Sequence, residues 1–172
     1  ASVMISNSII RENVANRAGG GIEDRSFRQS PDFGLELSNV QMHANLAGVN
    51  PPYYLFPKVP VASPGNGGAI HVTGNGRIVI KESEIMNNEA ARDGGGLWNG
   101  NMLVVESTID NNEAFGTTAG KGGGGIWNHG GNIDALRSTI SNNQANQPGA
   151  SGGGIFNALD GTLNVDFSTV SG

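Results

Sequence analysis

The sequence predicts an all-β fold, a right-handed parallel β-helix in which the chain winds through stacked coils with three short strands per coil. Three observations predict it: a motif that recurs along the chain, apolar residues that alternate as in strands, and a composition unsuited to helices. Glycine makes up 28 of the 172 residues, about twice the ~7% of an average protein. Glycine and asparagine interrupt the chain every few residues, so no stretch has the apolar period of an amphipathic helix.

The recurring motif has the form S-x-I-x-N-N-x-A, then a loop of variable length, then G-G-G-[IL]-[WF]-N. Because each copy can bury its apolar side chains only against the next copy, the copies are expected to stack as a solenoid. They predict about five coils and the start of a sixth. The most similar copies occupy 83–99, 107–128 and 138–157. One looser copy occupies 8–24, another occupies 40–47 and resumes at 67–72, and a last one begins at 168–172.

Each copy contains three short strands. The first is an alternating pair such as Ile78 and Ile80, the second surrounds S-x-I, and the third follows the glycine triplet. A spacing of two residues places these side chains on one side of a strand, which we expect to face the core. In the second copy this register aligns Met42, rather than Val40, with Ile109. The inward columns are Val3, Leu35, Ile78, Met102, Ile133 and Leu163; Ile5, Leu37, Ile80, Val104, Ala135 and Val165; and Ile10, Met42, Ile85, Ile109, Ile140 and Val170.

Asparagine, glycine and serine recur at fixed positions, and we interpret all three as structural. Stacked asparagine amides can hydrogen-bond from coil to coil at a bend. Glycine triplets permit positive φ and close backbone approach where a coil turns a corner. The serine column has no recurring His or acid beside it that would activate a nucleophile. The predicted ladder consists of Asn13, Asn45, Asn88, Asn112 and Asn143 in one column and Asn99, Asn128 and Asn157 in another; the serines are Ser8, Ser83, Ser107, Ser138 and Ser168.

Tandem units of this kind resemble the repeats of polymorphic outer-membrane proteins and of autotransporter passenger domains, which are large bacterial surface proteins. The resemblance covers nearly the whole chain outside 48–66. It implies a right-handed β-helix outside the cell or on its surface, with the periplasm as a second location. It leaves the activity open, because the same coil supports adhesins, structural fibres and polysaccharide lyases or epimerases.

Composition excludes several classes of function. The net charge is −5 and the 10 basic residues are scattered, so no basic surface for nucleic acid is expected. No apolar run approaches the ~20 residues that span a bilayer, so we expect no membrane insertion by this segment. The chain has no cysteine for disulfides or thiolate metal sites, and its three histidines fall at unlike repeat positions. We therefore predict no metal and no cofactor.

Two outward-facing groups of side chains are candidates for binding a partner. Trp98, Trp127 and Phe156 each follow the inward residue of the third strand, so alternation predicts an exposed aromatic stripe. Such a stripe fits a protein partner or a sugar; the alternative is that the rings pack on each other and on loops. The second group is apolar where the first strand should face solvent, and consists of Val79, Leu103, Val105 and Leu136.

An insertion at 48–66 is the third candidate for partner binding. It holds five of the seven prolines, which prevent strand pairing and stiffen a loop. Its apolar centre is unusual for a free loop tip, and we expect it either to fold back on the coil or to dock on a partner. This centre consists of Tyr53, Tyr54, Leu55 and Phe56.

One column has the residue types of a catalytic site. Glu82, Glu106 and Arg137 occupy one position in consecutive coils, and two carboxylates at the ~5 Å coil spacing could share a proton or bind Ca²⁺. The alternative is a solvated ladder in which Arg137 offsets one charge. Glu89 and Glu113 form a similar pair elsewhere, so such pairs arise without a dedicated site. We predict no catalytic residue.

Residues 1–172 are predicted to form a single β-helix domain, and a piece of a longer solenoid because neither end carries a polar cap. We predict a non-catalytic surface or scaffold segment with a structural, adhesive or assembly role. It would act through lateral protein contacts or self-association. The alternative is a carbohydrate-active β-helix, either a polysaccharide lyase or epimerase or a glycan-binding segment.

Overall fold

The computed structural model describes residues 2–25, 34–48, 65–74, 76–116 and 121–172. All regular elements in these ranges are β-strands. In chain order they are β1 (Val3–Arg11), β2 (Val14–Ala15), β3 (Ile22–Asp24), β4 (Leu35–His43), β5 (Leu46–Ala47), β6 (Ile70–Val72), β7 (Ile78–Lys81), β8 (Glu84–Met86), β9 (Glu89–Ala90), β10 (Leu97–Asn99), β11 (Met102–Val105), β12 (Thr108–Asp110), β13 (Glu113–Ala114), β14 (Ile126–His129), β15 (Asn132–Leu136), β16 (Thr139–Ser141), β17 (Gln144–Ala145), β18 (Ile155–Ala158), β19 (Thr162–Asp166) and β20 (Thr169–Ser171).

The strands pair in parallel and form three sheets. The first sheet has ten strands, in the order β19-β15-β11-β7-β4-β8-β12-β16-β20 with β1 paired to β4. The second and third sheets have five strands each, in the orders β17-β13-β9-β5-β2 and β18-β14-β10-β6-β3. Each strand lies beside its counterparts in neighbouring coils. The fold is therefore the predicted right-handed parallel β-helix, with five coils and the start of a sixth.

The predicted inward columns are confirmed by the strand register. Ile109 lies opposite Ile85 and Ile140, and Met42 lies opposite Ile10 and Ile85. In the second to fifth coils these side chains are almost completely buried and form one continuous core. Burial of each such aliphatic side chain stabilises the fold by about 1.5–3 kcal/mol, so the core columns carry most of the favourable free energy.

The coil differs from the prediction in two details. The first two predicted strands belong to one sheet, being continuous in β1 and β4 and separated only by a short bend in later coils. The second sheet consists of two-residue strands such as β9, which the sequence did not predict. Two residues are too few to display an alternating pattern, so this sheet becomes visible only through pairing between coils.

Each coil turns at three positions where the backbone has a positive φ. At the third corner a glycine is required, because a Cβ on Gly94 would collide with the carbonyl oxygen of Leu97. This confirms the structural interpretation of the glycine triplet. The residues at the first corner, with φ of 46–53°, are Asn7, Asn39, Glu82, Glu106, Arg137 and Phe167; at the second, with φ of 51–56°, Glu12, Ala44, Asn87, Asn111 and Asn142; and at the third, with φ of 58–67°, Gly19, Gly67, Gly94, Gly123 and Gly152.

The terminal coils expose apolar side chains that central coils bury. Their inward columns have a neighbouring coil on one side only, so the same repeat positions are partly open to solvent. Within the described ranges, the exposed large apolar residues of the inward columns are Val3, Leu163, Val165 and Val170. The other exposed large apolar residues lie at outward or bend positions of the first, fifth or sixth coil: Met4, Ile9, Val14, Leu159 and Phe167.

Candidate binding surfaces

The asparagine column at the second corner forms a hydrogen-bonded ladder. Nδ2 of Asn45 donates to Oδ1 of Asn88, and Nδ2 of Asn88 to Oδ1 of Asn112, each at 2.9 Å. The backbone N–H of each residue donates to the same oxygen. The ladder extends to Asn13 at one end and Asn143 at the other. This prediction is confirmed, and from Asn45 to Asn143 the amides are buried and bonded within the fold.

The second asparagine column is correctly placed but is only partly a ladder. Asn128 donates to Oδ1 of Asn157 at 2.6 Å. Asn99 instead donates to the backbone carbonyls of Gly76 and Asn101, at 2.9 and 2.7 Å. The amide of Asn99 therefore holds the loops between coils in place, because these loops bring carbonyl groups closer than the next amide.

The serine column is a third network within the fold. The hydroxyl of Ser107 donates to the carbonyl of Val105 at 2.7 Å and accepts from the N–H of Ser83 at 3.1 Å. Ser83 and Ser138 make the equivalent bonds in their own coils. Each of these hydroxyls is buried between coils and satisfies a backbone group, which agrees with the structural interpretation.

The predicted aromatic stripe is only partly exposed to solvent. Trp127 is only 6% exposed, whereas Trp98 and Phe156 are half-buried. Trp127 stacks on Phe156 with ring centroids 4.4 Å apart and 15° between the planes. Nζ of Lys121 lies 5.5 Å from the centroid of the Trp127 ring. The prediction of exposure is therefore wrong for Trp127, because a neighbouring ring and the lysine cover it.

Trp98 belongs to a different stack, between two histidines. Its ring centroid lies 4.6 Å from that of His71 and 4.7 Å from that of His129. The faces of the indole are thus covered by imidazoles, and the part that reaches solvent is its edge. A sugar that stacks on an aromatic ring needs an open face. The packing alternative describes this column better than a sugar-stacking platform does.

His71 is a buried residue that sequence reasoning did not single out. Its side chain is 1% exposed, and neither ring nitrogen has a hydrogen-bond partner. Nδ1 lies 3.8 Å from Oε1 of Glu23. Burial, together with the positive charges of Arg17 and Arg25, lowers the pKa of His71 to about 4. The one signal in the sequence was its position in G-G-A-I-H-V, which corresponds to that of Trp98 in the next coil.

The apolar patch on the first strand of each coil lies where the sequence placed it. We call this surface the first-strand face; it consists of the outward side chains of β7, β11 and β15. Leu103 lies beside Val79, and Val105 lies beside Leu136. All four side chains are half-buried by one another and by their neighbours. They form a continuous apolar surface across three coils.

The insertion at 48–66 leaves and rejoins the coil at two glycines. The N–H of Gly48 donates to the carbonyl of Ala15, and that of Gly65 to the carbonyl of Arg17, both at 2.7 Å. Parallel pairing with the preceding coil therefore continues up to both ends of the insertion. The predicted partner-binding residues Tyr53, Tyr54, Leu55 and Phe56 lie outside the described residues.

The column that resembled a catalytic site lies at the first corner of the coil. Nε of Arg137 donates to Oε1 of Glu106 at 2.7 Å, and both side chains are about half exposed. Glu82 occupies the same bend position one coil earlier, with a positive φ like that of Glu106. An exposed ion pair at a bend fits the solvated ladder that was the alternative interpretation.

A second carboxylate pair lies on the second sheet. Glu89 is opposite Glu113, and burial, with a smaller contribution from the charge of Glu113, raises the pKa of Glu89. Oε1 of Glu113 accepts a hydrogen bond from Asn146. In the described part of the chain no group of three or more His, Cys, Asp or Glu is placed to hold a metal ion.

A groove opens where the third sheet passes into the next coil. It has a volume of about 350 Å³ and lies between the loops that follow β6, β10 and β14. Its side chains come from Thr73, Trp98, Asn101 and His129, and the rest of its lining is mostly glycine backbone. Sequence reasoning missed it, because its residues follow the recognisable motif in loops of unequal length.

No family model, curated protein or solved structure matches the chain. Among the residues that the structure describes, there is no helix with the length and hydropathy needed to cross a membrane.

Proposed function

We propose that this chain is a non-catalytic β-helix scaffold that makes lateral protein contacts through its first-strand face. We place it outside a bacterial cell or on its surface, in the manner of the outer-membrane and autotransporter repeats that its motifs resemble. The observation that carries the proposal is the apolar patch of Val79, Leu103, Val105 and Leu136, which occupies outward positions in three successive coils.

Outward positions of a solvated strand are expected to be polar, and they are polar in the coils that border the patch in the first of its two columns. Glu36 and Asp134 flank Val79 and Leu103 in one column. The central patch departs from that pattern without being needed for the core, which lies on the other side of the strands. Each Å² of apolar surface removed from water contributes about 25 cal/mol, so a partner that covers the patch gains affinity from it.

Two ion pairs border the patch and give it a charged rim. Nζ of Lys81 lies 2.7 Å from Oε1 of Glu36, and Nη2 of Arg77 lies 3.4 Å from Oδ2 of Asp134. An apolar centre with a polar, charged rim is the usual anatomy of a protein interface. Charges at the rim contribute mainly to orientation and partner choice. We therefore favour a specific protein contact over non-specific adhesion.

The groups that could suggest catalysis have structural roles in this fold, which supports the non-catalytic proposal. The buried serine hydroxyls bond backbone groups of their own and neighbouring coils. Glu106 pairs with Arg137 at an exposed bend. If the chain instead depolymerised an acidic polysaccharide, and Glu106→Gln abolished that activity, the proposal would fail and the enzyme alternative would replace it.

Site-specific photo-crosslinking in the cells that produce the protein tests the proposed contact. A photoreactive side chain at position 103 should yield a discrete adduct with one protein, or with a second copy of the chain. The matched control is position 86, because Met86 is also an outward, half-buried apolar residue but lies on β8. Position 86 should yield no such adduct.

A charged substitution within the patch provides the second arm of this test. Val105→Glu should abolish the adduct formed from position 103, while circular dichroism and thermal unfolding remain close to those of the parent chain. If position 103 remains free of adducts, or if Val105→Glu leaves the adduct unchanged, the first-strand face is not the contact surface.

A further inference from the structure

The groove beside Trp98 is distinct from the first-strand face, and we propose that it binds a neutral oligosaccharide. Its volume of about 350 Å³ lies within the range of ligand pockets, roughly 300–1,000 Å³. The groove is open because glycines, which have no side chain to fill it, form much of its wall. Gly74 and Gly130 have φ of 93° and 83°, a conformation that favours glycine, so the groove is built into the backbone of these loops.

The floor of the groove is held rigidly by Asn99. This side chain is fully buried, and its Nδ2 donates to the carbonyls of Gly76 and Asn101 while its Oδ1 accepts from the N–H of Gly100. One amide thus fixes the loops on either side of it. A site with its loops already ordered loses less conformational entropy when a ligand binds.

The rim of the groove carries polar groups that have no hydrogen-bond partner among the described residues. Asn101 accepts from the N–H of Asn132 at 3.4 Å through Oδ1, and its Nδ2 makes no further bond there. The backbone N–H of Thr73 donates to Asp24, whereas its hydroxyl has no described partner. His129 is exposed, and its imidazole nitrogens are likewise open to a ligand. These groups offer both donors and acceptors to hydroxyls.

The lining also indicates the class of ligand. Among the described residues that line the groove there is no Asp, Glu, Lys or Arg, so a charged ligand would lose hydration without gaining a counter-charge. A wholly apolar ligand would bury the amide and hydroxyl groups without bonding them. A neutral sugar has hydroxyls for the polar rim and C–H surface for the edge of Trp98, and so matches both parts of the lining.

Two-dimensional ¹H–¹⁵N NMR on the 172-residue chain tests this proposal. The probes are cellotriose, maltotriose and laminaritriose, with trigalacturonate as the charged comparison, each up to about 10 mM, which is tenfold above a millimolar Kd. At least one neutral trisaccharide should shift the amides of Gly100 and Gly130 and the indole N–H of Trp98. The indole N–H of Trp127, which lies outside the groove, should stay unshifted.

A pair of asparagine variants tests whether binding depends on a side chain inside the groove and not on one outside it. Asn101→Ala should weaken binding about fivefold, the loss expected for one hydrogen bond. Asn132→Ala is the control, since its side chain lies in the next coil outside the groove and should leave the Kd unchanged. The proposal is overturned if none of the neutral trisaccharides shifts these resonances, if trigalacturonate shifts them equally, or if both variants weaken binding alike.

Discussion

At the scale of single residues, the corners of the coil explain which side chains recur and why. Non-glycine residues with positive φ are uncommon, and asparagine is several-fold enriched among them. Asn87 and Asn111 occupy the second corner in this conformation. At the first corner Glu82, Glu106 and Arg137 do the same. The column that resembled a catalytic site is therefore a bend position, where a long charged side chain points into solvent.

Ile109→Asn is predicted to destabilise the protein by about 3–5 kcal/mol, because it removes a buried aliphatic group and buries an unpaired amide. Asp110→Asn is the matched control. Asp110 is half-exposed, and its Oδ1 accepts from Ser141 and Asn142, a role that an amide oxygen can keep. Urea denaturation measures both changes. Equal losses of stability in the two variants would contradict the register.

The pH dependence of stability is predicted to contain a contribution from His71. Its pKa is about 4 in the folded protein and near 6.5 in the unfolded chain, so the unfolded state takes up the proton first as the pH falls. Above pH 6.5 the imidazole is neutral in both states and the stability is unaffected by its protonation. As the pH falls from 6.5 toward 4, the free energy of unfolding decreases by roughly 3 kcal/mol. The groups that face the imidazole are Glu23, Arg17, Arg25 and His129.

Comparing the urea midpoint at pH 7 and pH 4.5 measures this effect. His71→Phe keeps a ring against Trp98 but cannot titrate, so its midpoint should fall less between the two pH values than that of the parent chain. His43→Gln should behave like the parent. A parent and a His71→Phe variant with the same pH dependence would show that protonation of His71 does not oppose folding.

At the scale of elements, the strands are short and the side-chain ladders join them. A two-residue strand such as β9 forms few backbone hydrogen bonds of its own. The asparagine ladder beside it links each coil to the next through both side chain and backbone. The serine column does the same on the other side of the S-x-I strand. The second and later coils are therefore joined at bends as well as along strands.

Asn112→Ala is predicted to cost about 3 kcal/mol or more, because it leaves several buried groups without partners. These include the carbonyl of Ile85 and the N–H and Nδ2 of Asn88. Asn146→Ala is the control, since its Nδ2 donates to Glu113 at an exposed site and its loss should cost under ~0.5 kcal/mol. Thermal unfolding distinguishes the two; similar losses would show that the ladder contributes little stability.

At the scale of the whole molecule, stability is expected to be graded along the solenoid axis. Strand pairing joins each coil only to its neighbours, so the free energy of unfolding is approximately a sum of local terms. Central coils have a partner on both sides, whereas Val3 and Leu163 in the terminal coils are partly open to solvent. In the 172-residue chain, opening should therefore begin at the first and last coils and proceed inward.

Amide hydrogen exchange is predicted to follow this gradient. The amides of β12, in the fourth coil, should exchange at least tenfold more slowly than those of β1 and β20, because opening them requires disruption of interfaces on both sides. Mass spectrometry of peptides that cover each strand measures the rates. Uniform exchange along the chain would indicate a single cooperative unit instead of coupled coils.

The repeat in the sequence predicts the solenoid and the register of its inward columns, although not the sheet of two-residue strands. The constant spacing of the inward positions within each copy aligns Met42 with Ile85, and the recurrence of asparagine at one position predicts the ladder. Periodic positions are predictable since each neighbour in a solenoid is the same position of another copy. The first-strand patch was predictable for the same reason, because outward apolar residues stand out against a regular alternation.

The accessibility of the outward side chains depends on contacts that appear only in the folded protein. Trp98 and Trp127 occupy equivalent positions, yet one stacks between two histidines and the other lies under Lys121 and Phe156. The burial of His71 and the groove beside Trp98 likewise depend on loops whose lengths vary from coil to coil. Loop conformation is set by non-repeating contacts, so the periodicity that predicts the core and the first-strand patch does not predict the surfaces that these loops form.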